Sequence, residues 1–283
     1  MAYSGAGPAP FTREIARFDA FEADFRGGVS VAGGIISGDP TKNNIIVASG
    51  PGRPNEIRVI SSDLPGGPGQ APAAIASFAP FSGDEGSVIS AGLVTPGRIS
   101  IVAAPVGSDR VSVYQFPLFS RVGDDASTGD ADANLGQPVL VDEFEAFEDY
   151  DGPLSLATGW VAAREGGVES IVVGQASGSG AVRVLSWASR LTDESAMYVE
   201  HGHDGHSVSF AATVTFTPLE GAVAVATTST TSGAHIIVTG LDEAGSVADV
   251  YAVKRGDPDQ TQLTVRLVET VAQSDGSMSV AGG

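Results

Sequence analysis

Three of the four histidines in the chain stand in one short segment, His201-Gly-His203-Asp-Gly-His206. Neutral imidazoles two and five residues apart in a loop can share a transition-metal ion such as Zn2+, so His201, His203 and His206 form one candidate metal set. The plainer reading is an ordinary polar loop between strands. A second candidate lies in the acidic stretch from Asp124 to Gly136. Asp130, Asp132 and Asn134 alternate there, as in a Ca2+ loop whose side chains converge within one turn. The glycine comes one residue late, and Val141 stands where a bidentate glutamate would close the site. A solvated acidic loop between two strands accounts for the stretch as well.

Support for catalysis is thin. The sequence holds no G-x-S-x-G elbow, no phosphate-binding P-loop and no dinucleotide fingerprint. The acidic pairs Glu143 with Glu145 and Asp149 with Asp151 fall in one segment, and general acid–base work requires carboxylates that converge on a substrate. With no cysteine, thiolate catalysis, disulfides and Cys-ligated zinc are excluded. The expectation is a protein that is not an enzyme and has no cofactor, with Ca2+ at the 130–134 loop as the one exception to weigh.

Charge narrows the partners. Fifteen basic against 34 acidic residues give a net charge of −19, which repels phosphate backbones and anionic lipid surfaces. A protein partner fits better than nucleic acid, and a glycan is the other class to consider. No stretch approaches the 18 or so apolar residues of a membrane-spanning helix. The segment MAYSGAGPAPFTREIARF lacks the basic and apolar regions of a signal peptide. An extracellular or cell-surface location is the favoured expectation, reached without a leader in this stretch.

The elements that would position these residues are repeats. A pair of aromatic residues three apart is followed by an acidic, Gly-rich loop and then by a strand of small residues. The copies are Phe18–Phe21 before Val29–Gly34, Phe78–Phe81 before Val88–Gly92, and Phe144–Phe147 before Leu154–Gly159. Tyr198–His201 before Val208–Ala212 and Val268–Val271 before Met278–Gly283 extend the series. Between copies come an apolar run (45–48, 99–103, 170–174, 222–226), a turn, and an alternating strand (56–60, 110–114, 181–185, 235–238). Continuous apolarity suits a strand buried on both faces, and alternation suits one nearer solvent. The aromatic pairs suit a core between sheets better than a ligand platform.

Four strands per repeat, joined by hairpin-like turns, predict an all-β fold, a β-propeller of about four to five four-stranded blades. The chain reads as a single domain over 1–283, with repeats at approximately 18–77, 78–143, 144–197 and 198–267 and a partial one at 268–283. Strands near 29–34, 88–93, 154–159 and 208–213 are expected innermost. The segments 262–283 and 11–25 are expected on neighbouring elements, with any remaining edge capped by a partner subunit.

The stretch GGVSVAGGIISGDPTKNNIIVASGPGRPNEIRVISSDL, with its Gly-Val-Ser-Val-Ala strand, Ile-Val-Ala-Ser-Gly-Pro-Gly turn and closing Ile-Arg-Val, resembles the FG-GAP/VCBS-type repeat of integrin-like and bacterial propellers, which runs Gly-Val-x-Val-Ala, then Ile-Val-x-Gly-x-Gly-Pro-Gly, then Val-Arg-Val. The likeness is good over 27–64 and partial over 78–118 and 144–187. It implies a propeller whose Asp-rich turns between first and second strands often hold Ca2+. Here only Asp39 keeps a carboxylate in the first such turn, beside Ser37 and Asn43, and the turns LVTPGRIS, VAAREGGVES and TFTPLEG supply no cage. The resemblance therefore implies blades held by packing, with the metal motifs largely lost. The function expected is a protein-binding or structural component of a larger assembly. The alternative is an extracellular glycan-binding or glycan-processing propeller, which would require converging carboxylates beside exposed aromatics.

Overall fold

The computed structural model describes residues 2–4, 13–37, 42–61, 72–117, 135–161, 167–188, 209–230, 233–242, 245–255 and 263–273. A hairpin of β1 (Ala2–Ser4) and β2 (Arg13–Ala16) precedes four antiparallel sheets of four strands each. The first sheet holds β3 (Val29–Gly34), β4 (Asn44–Ser49), β5 (Ile57–Ile60) and β6 (Ala74–Phe78). The second holds β7 (Ser87–Thr95), β8 (Arg98–Pro105), β9 (Arg110–Gln115) and β10 (Val139–Glu145). The third holds β11 (Leu154–Gly159), β12 (Ser170–Gln175), β13 (Val182–Ala188) and β14 (Ser209–Phe216). The fourth holds β15 (Ala224–Thr230), β16 (Gly233–Asp242), β17 (Gly245–Arg255) and β18 (Leu263–Gln273). Strands in every sheet follow chain order, and no described residue is helical. The all-β expectation holds in this form. No helix among the described residues is long and apolar enough to cross a membrane.

Two compact units divide the chain, residues 1–89 with 116–139 and residues 90–115 with 140–283. In the first, β4 and β5 carry the core: Ile46, Ala48, Ile57 and Val59 are fully buried, and Phe78 meets Phe116 edge-on at 6.1 Å. In the second unit the third and fourth sheets pack face to face through Ala157, Val172 and Val184 against Val225, Ile236, Val238 and Tyr251. Each such Val or Ile contributes about 1.5–3 kcal/mol relative to exposure. The second strands of the first three sheets are buried on both faces along most of their length, as their unbroken apolar runs require, and every residue of β12 is buried.

One expectation fails. The strand expected first in a fourth repeat, 208–213, is instead the last strand of the third sheet. β14 pairs with β13 from Ala188↔Ser209 to Val182↔Phe216. The run 222–226, expected second, leads into the first strand of the fourth sheet, which begins at Ala224. The reason is an aromatic pair in weakened form, Phe216-Thr-Pro-Leu219, in which leucine replaces the second ring and the following loop is cut short. Phe216 meets Tyr251 of β17 at 5.1 Å, so this segment does the packing of the earlier pairs. The segment 198–208, with its Tyr198–His201 pair, lies outside the described residues, as does 274–283.

Successive sheets are joined by a recurring junction. In the first unit the turn between β4 and β5 packs on the linker leading to β7, through Gly52 N–H to Asp84 O (2.9 Å) and Asn55 N–H to Gly83 O (3.1 Å). In the second unit Ala146 N–H donates to Asp109 O (2.9 Å), and Val223 N–H to Gln175 O (3.0 Å). Gly86 is required at the first junction: its φ is +83°, and a Cβ there would meet the Gly50 backbone at 2.5 Å.

First strands also touch one another. Ser30 Oγ accepts the Ile89 N–H (3.1 Å) in the first unit, and Ser155 Oγ accepts the Val225 N–H (2.8 Å) in the second. Thr158 Oγ1 donates to Ala91 O (2.7 Å), and Thr227 Oγ1 to Thr158 O (2.5 Å). Ser30 and Ser155 therefore occupy the same place in their repeats. Small residues are needed because a Cβ on Gly159 would lie 2.8 Å from Thr227 Cβ, and one on Gly92 would lie 2.7 Å from Thr158 Cβ.

Candidate binding surface

Asp130, Asp132 and Asn134 lie outside the described residues, as do His201, His203, His206 and Asp39. Among the described residues no three His, Asp or Glu side chains are grouped to hold a metal ion. In the first turn between strands, Asn43 is exposed, whereas its neighbour Asn44 is buried and organises the backbone. Asn44 Oδ1 accepts the N–H groups of Ile36 (3.0 Å) and Ser37 (2.9 Å).

The described chain does form a recess of about 300 Å3 in the first unit, against the face of β3 and β4. Ile45 and Val47 form its floor, Phe18, Phe21 and Phe25 its wall, and Asp19, Glu22 and Arg26 part of its rim. Val29 and Val31 of β3 line its open side and are 50% and 60% exposed. The wall is a stretch without regular structure, and two arginines fix it. Arg58 of β5 donates to Ala20 O (2.8 Å) and places its guanidinium 4.7 Å from the centre of the Phe21 ring. Arg53, in the turn before β5, stacks on Phe21 at 4.2 Å and Phe25 at 5.7 Å. A cation over an aromatic face contributes about 0.5–2 kcal/mol, more as water is excluded.

Glu56 holds both cations in place. Its carboxylate accepts Arg58 Nε (2.7 Å) and Nη2 (3.0 Å), Arg53 Nη2 (2.8 Å) and Ser77 Oγ (2.6 Å). Burial alone would raise its pKa. The hydrogen bonds from Arg58, Ser77 and Arg53 outweigh that and bring it down to about 2. The second unit repeats the device in simpler form. Arg183 of β13 donates to Ala146 O (2.5 Å) and to Thr215 Oγ1 (3.2 Å), and sits 5.0 Å from the Phe147 ring. Arginine and acceptor are 38 residues apart in one case and 37 in the other. The sequence carried this signal in the recurring Arg-Val of the third strand, but only the fold pairs it with the aromatic anchor. β9 has Ser112 at this place, hydrogen-bonded to Glu143 (2.8 Å).

Two further described carboxylates are perturbed by their surroundings. Asp109 is buried, and desolvation, reinforced by Glu145 and Asp151, raises its pKa. Burial likewise raises Glu169, opposed by the hydrogen bond its carboxylate accepts from Leu93 N–H (2.8 Å). Both lie within sheet junctions. Trp187 is turned edge-on to Phe210 at 5.5 Å, while Trp160 is 39% exposed. The recess is thus one part of the described surface with the shape to receive a partner's side chains. It is apolar inside, predominantly acidic at the rim, and braced from behind by arginines already engaged with Glu56. No known family model matches this chain, and no curated protein matches it.

Proposed function

We propose that this chain is a β-propeller-type repeat protein of the FG-GAP/VCBS kind that works by binding protein, as a scaffold or structural part of a larger assembly. The observation that carries this reading is the preformed apolar recess with Val29 and Val31 left open beside it. Contiguous exposed apolar surface rimmed by polar groups is a mark of protein interfaces. Four repeated sheets with first strands in mutual contact support the propeller architecture. The charged groups best placed for chemistry, Arg53, Glu56 and Arg58, are committed to one another and to Phe21, which suits a rigid platform. The test is gentle affinity purification of the tagged chain from its native host, with mass spectrometry. A protein retained at fixed stoichiometry, itself or another, is the expected result. A chain that retains no protein and instead binds defined oligosaccharides would replace this reading with the glycan one.

A further inference from the structure

We infer that β18, the outer strand of the fourth sheet, is a self-pairing edge that joins two copies of this chain across a two-fold axis. This rests on the scaffold reading and names its partner as a second copy. β18 runs for 11 residues, against 5, 7 and 8 in the described outer strands β6, β10 and β14. No described strand pairs with its far edge. From Thr264 to Val271 every side chain but that of Val265 is exposed, with Leu267 at 47%, Val268 at 57% and Val271 at 47%. A long edge without proline that carries exposed apolar side chains is a template for another strand. An outer edge in this molecule already takes a further segment of chain. In the first sheet Ile75 is the extra residue of a bulge, between Val59↔Ala76 and Ile60↔Ala74. Its carbonyl accepts the N–H of the buried Leu135 (3.3 Å). Val268 is the extra residue at the matching step of β18, between Val250↔Glu269 and Tyr251↔Leu267.

The side chains of β18 select a second copy as the occupant. Arg266 lies opposite Ala252 and Glu269 opposite Val250, so the bulge sets both charges on one face, two ladder steps apart. Leu267 stands between them on the other face, beside Tyr251. A two-fold axis normal to the sheet, passing between Leu267 and its copy, runs the two strands antiparallel and keeps each face on its own side. Arg266 of each copy then stands across from Glu269 of the other, and Leu267 across from Leu267. In the same register Val265 meets Thr270 and Thr264 meets Val271, pairs of β-branched residues that suit a ladder. Space for the added strand exists. Leu267 shares a face with Tyr251, which packs in the core against the third sheet, yet it is half exposed, so the third sheet does not reach over this edge. β10 is the contrast: its charges, Asp142, Glu143 and Glu145, are all acidic, and a second copy would repel them.

Sedimentation velocity on the purified full chain reads the outcome, at about 0.15 M salt, which damps long-range repulsion beyond about 8 Å and spares contacts between paired strands. The expected result is a reversible monomer–dimer equilibrium with nothing larger, since pairing uses up the edge. Arg266→Glu and Glu269→Arg, both at exposed sites and checked for unchanged circular dichroism, each weaken the dimer about tenfold to a hundredfold, because each sets like charges across the axis twice. An equimolar mixture of the two variants regains the parent affinity as a heterodimer, since every charge then faces its opposite. A chain that is monomeric at every concentration overturns the inference, including the case in which another part of the same chain covers β18. Single variants that dimerise like the parent overturn it too, as does a mixture that fails to recover. A monomer that nonetheless retains a different host protein would sink this inference alone and leave the scaffold reading standing.

Discussion

At the scale of single residues, two of the aromatic anchors are held in place by arginines. Phe21 lies between Arg53 and Arg58, and Phe147 beside Arg183. Removing Arg183 as Arg183→Ala deletes two hydrogen bonds and a stacking contact. It should lower stability by about 1–3 kcal/mol in urea unfolding. Arg183→Lys should recover only part, because an ammonium cannot both stack and reach Ala146 O and Thr215 with a planar fork. The Glu56 pKa, about 2 against an ordinary 4.5, makes a pH prediction. A depressed carboxylate contributes stability that is complete above its unfolded value, near 4.5, and is lost as pH falls through about 2. Glu56→Gln should therefore lower the urea midpoint at neutral pH. Its difference from the parent should shrink steadily through that window. A difference that stays constant down to the acid end would show that the carboxylate charge is not what Arg53 and Arg58 require.

At the scale of elements, first strands are built from small residues because neighbouring first strands approach to side-chain contact. Gly159→Val should force Thr227 aside and cost about 1–3 kcal/mol, measured by thermal or chemical unfolding. Ser155→Ala, which loses only the bond to Val225 N–H, should cost about 0.5–1.5 kcal/mol. If the two cost the same, crowding is not the reason for the glycine. Much of this level was legible in the sequence. Apolar runs such as 45–48 and 170–174 marked strands buried on both faces, and the pairs Phe78–Phe81 and Phe144–Phe147 marked the passage from one sheet to the next. The fourth sheet was misread by one strand. Val208–Ala212 has the small-residue lettering of a first strand, while Phe216–Leu219 has lost a ring. Composition cannot tell a first strand from a last strand that happens to be small; pairing with β13 does.

At the scale of the whole molecule, a net charge of −19 on a chain rich in valine and glycine produces mutual repulsion that opposes non-specific aggregation. Thermal unfolding with and without EDTA should give nearly the same Tm, since packing and arginine clamps hold the described sheets. A fall beyond about 10 °C would reveal an ion bound by the native state, and Asp130→Ala would then be the first variant to make. The all-β class, the strand runs, the absence of cysteine chemistry and the acidic surface follow from the sequence by itself, because each depends on residue type and local period. The tertiary structure decided three other things. It set which strand opens the fourth sheet, which arginine holds which ring, and why Val29 and Val31 are exposed where the equivalent Leu154 is buried. Each depends on what lies across the gap, and residues 37 or 70 apart in the chain acquire that relation only when the sheets have packed.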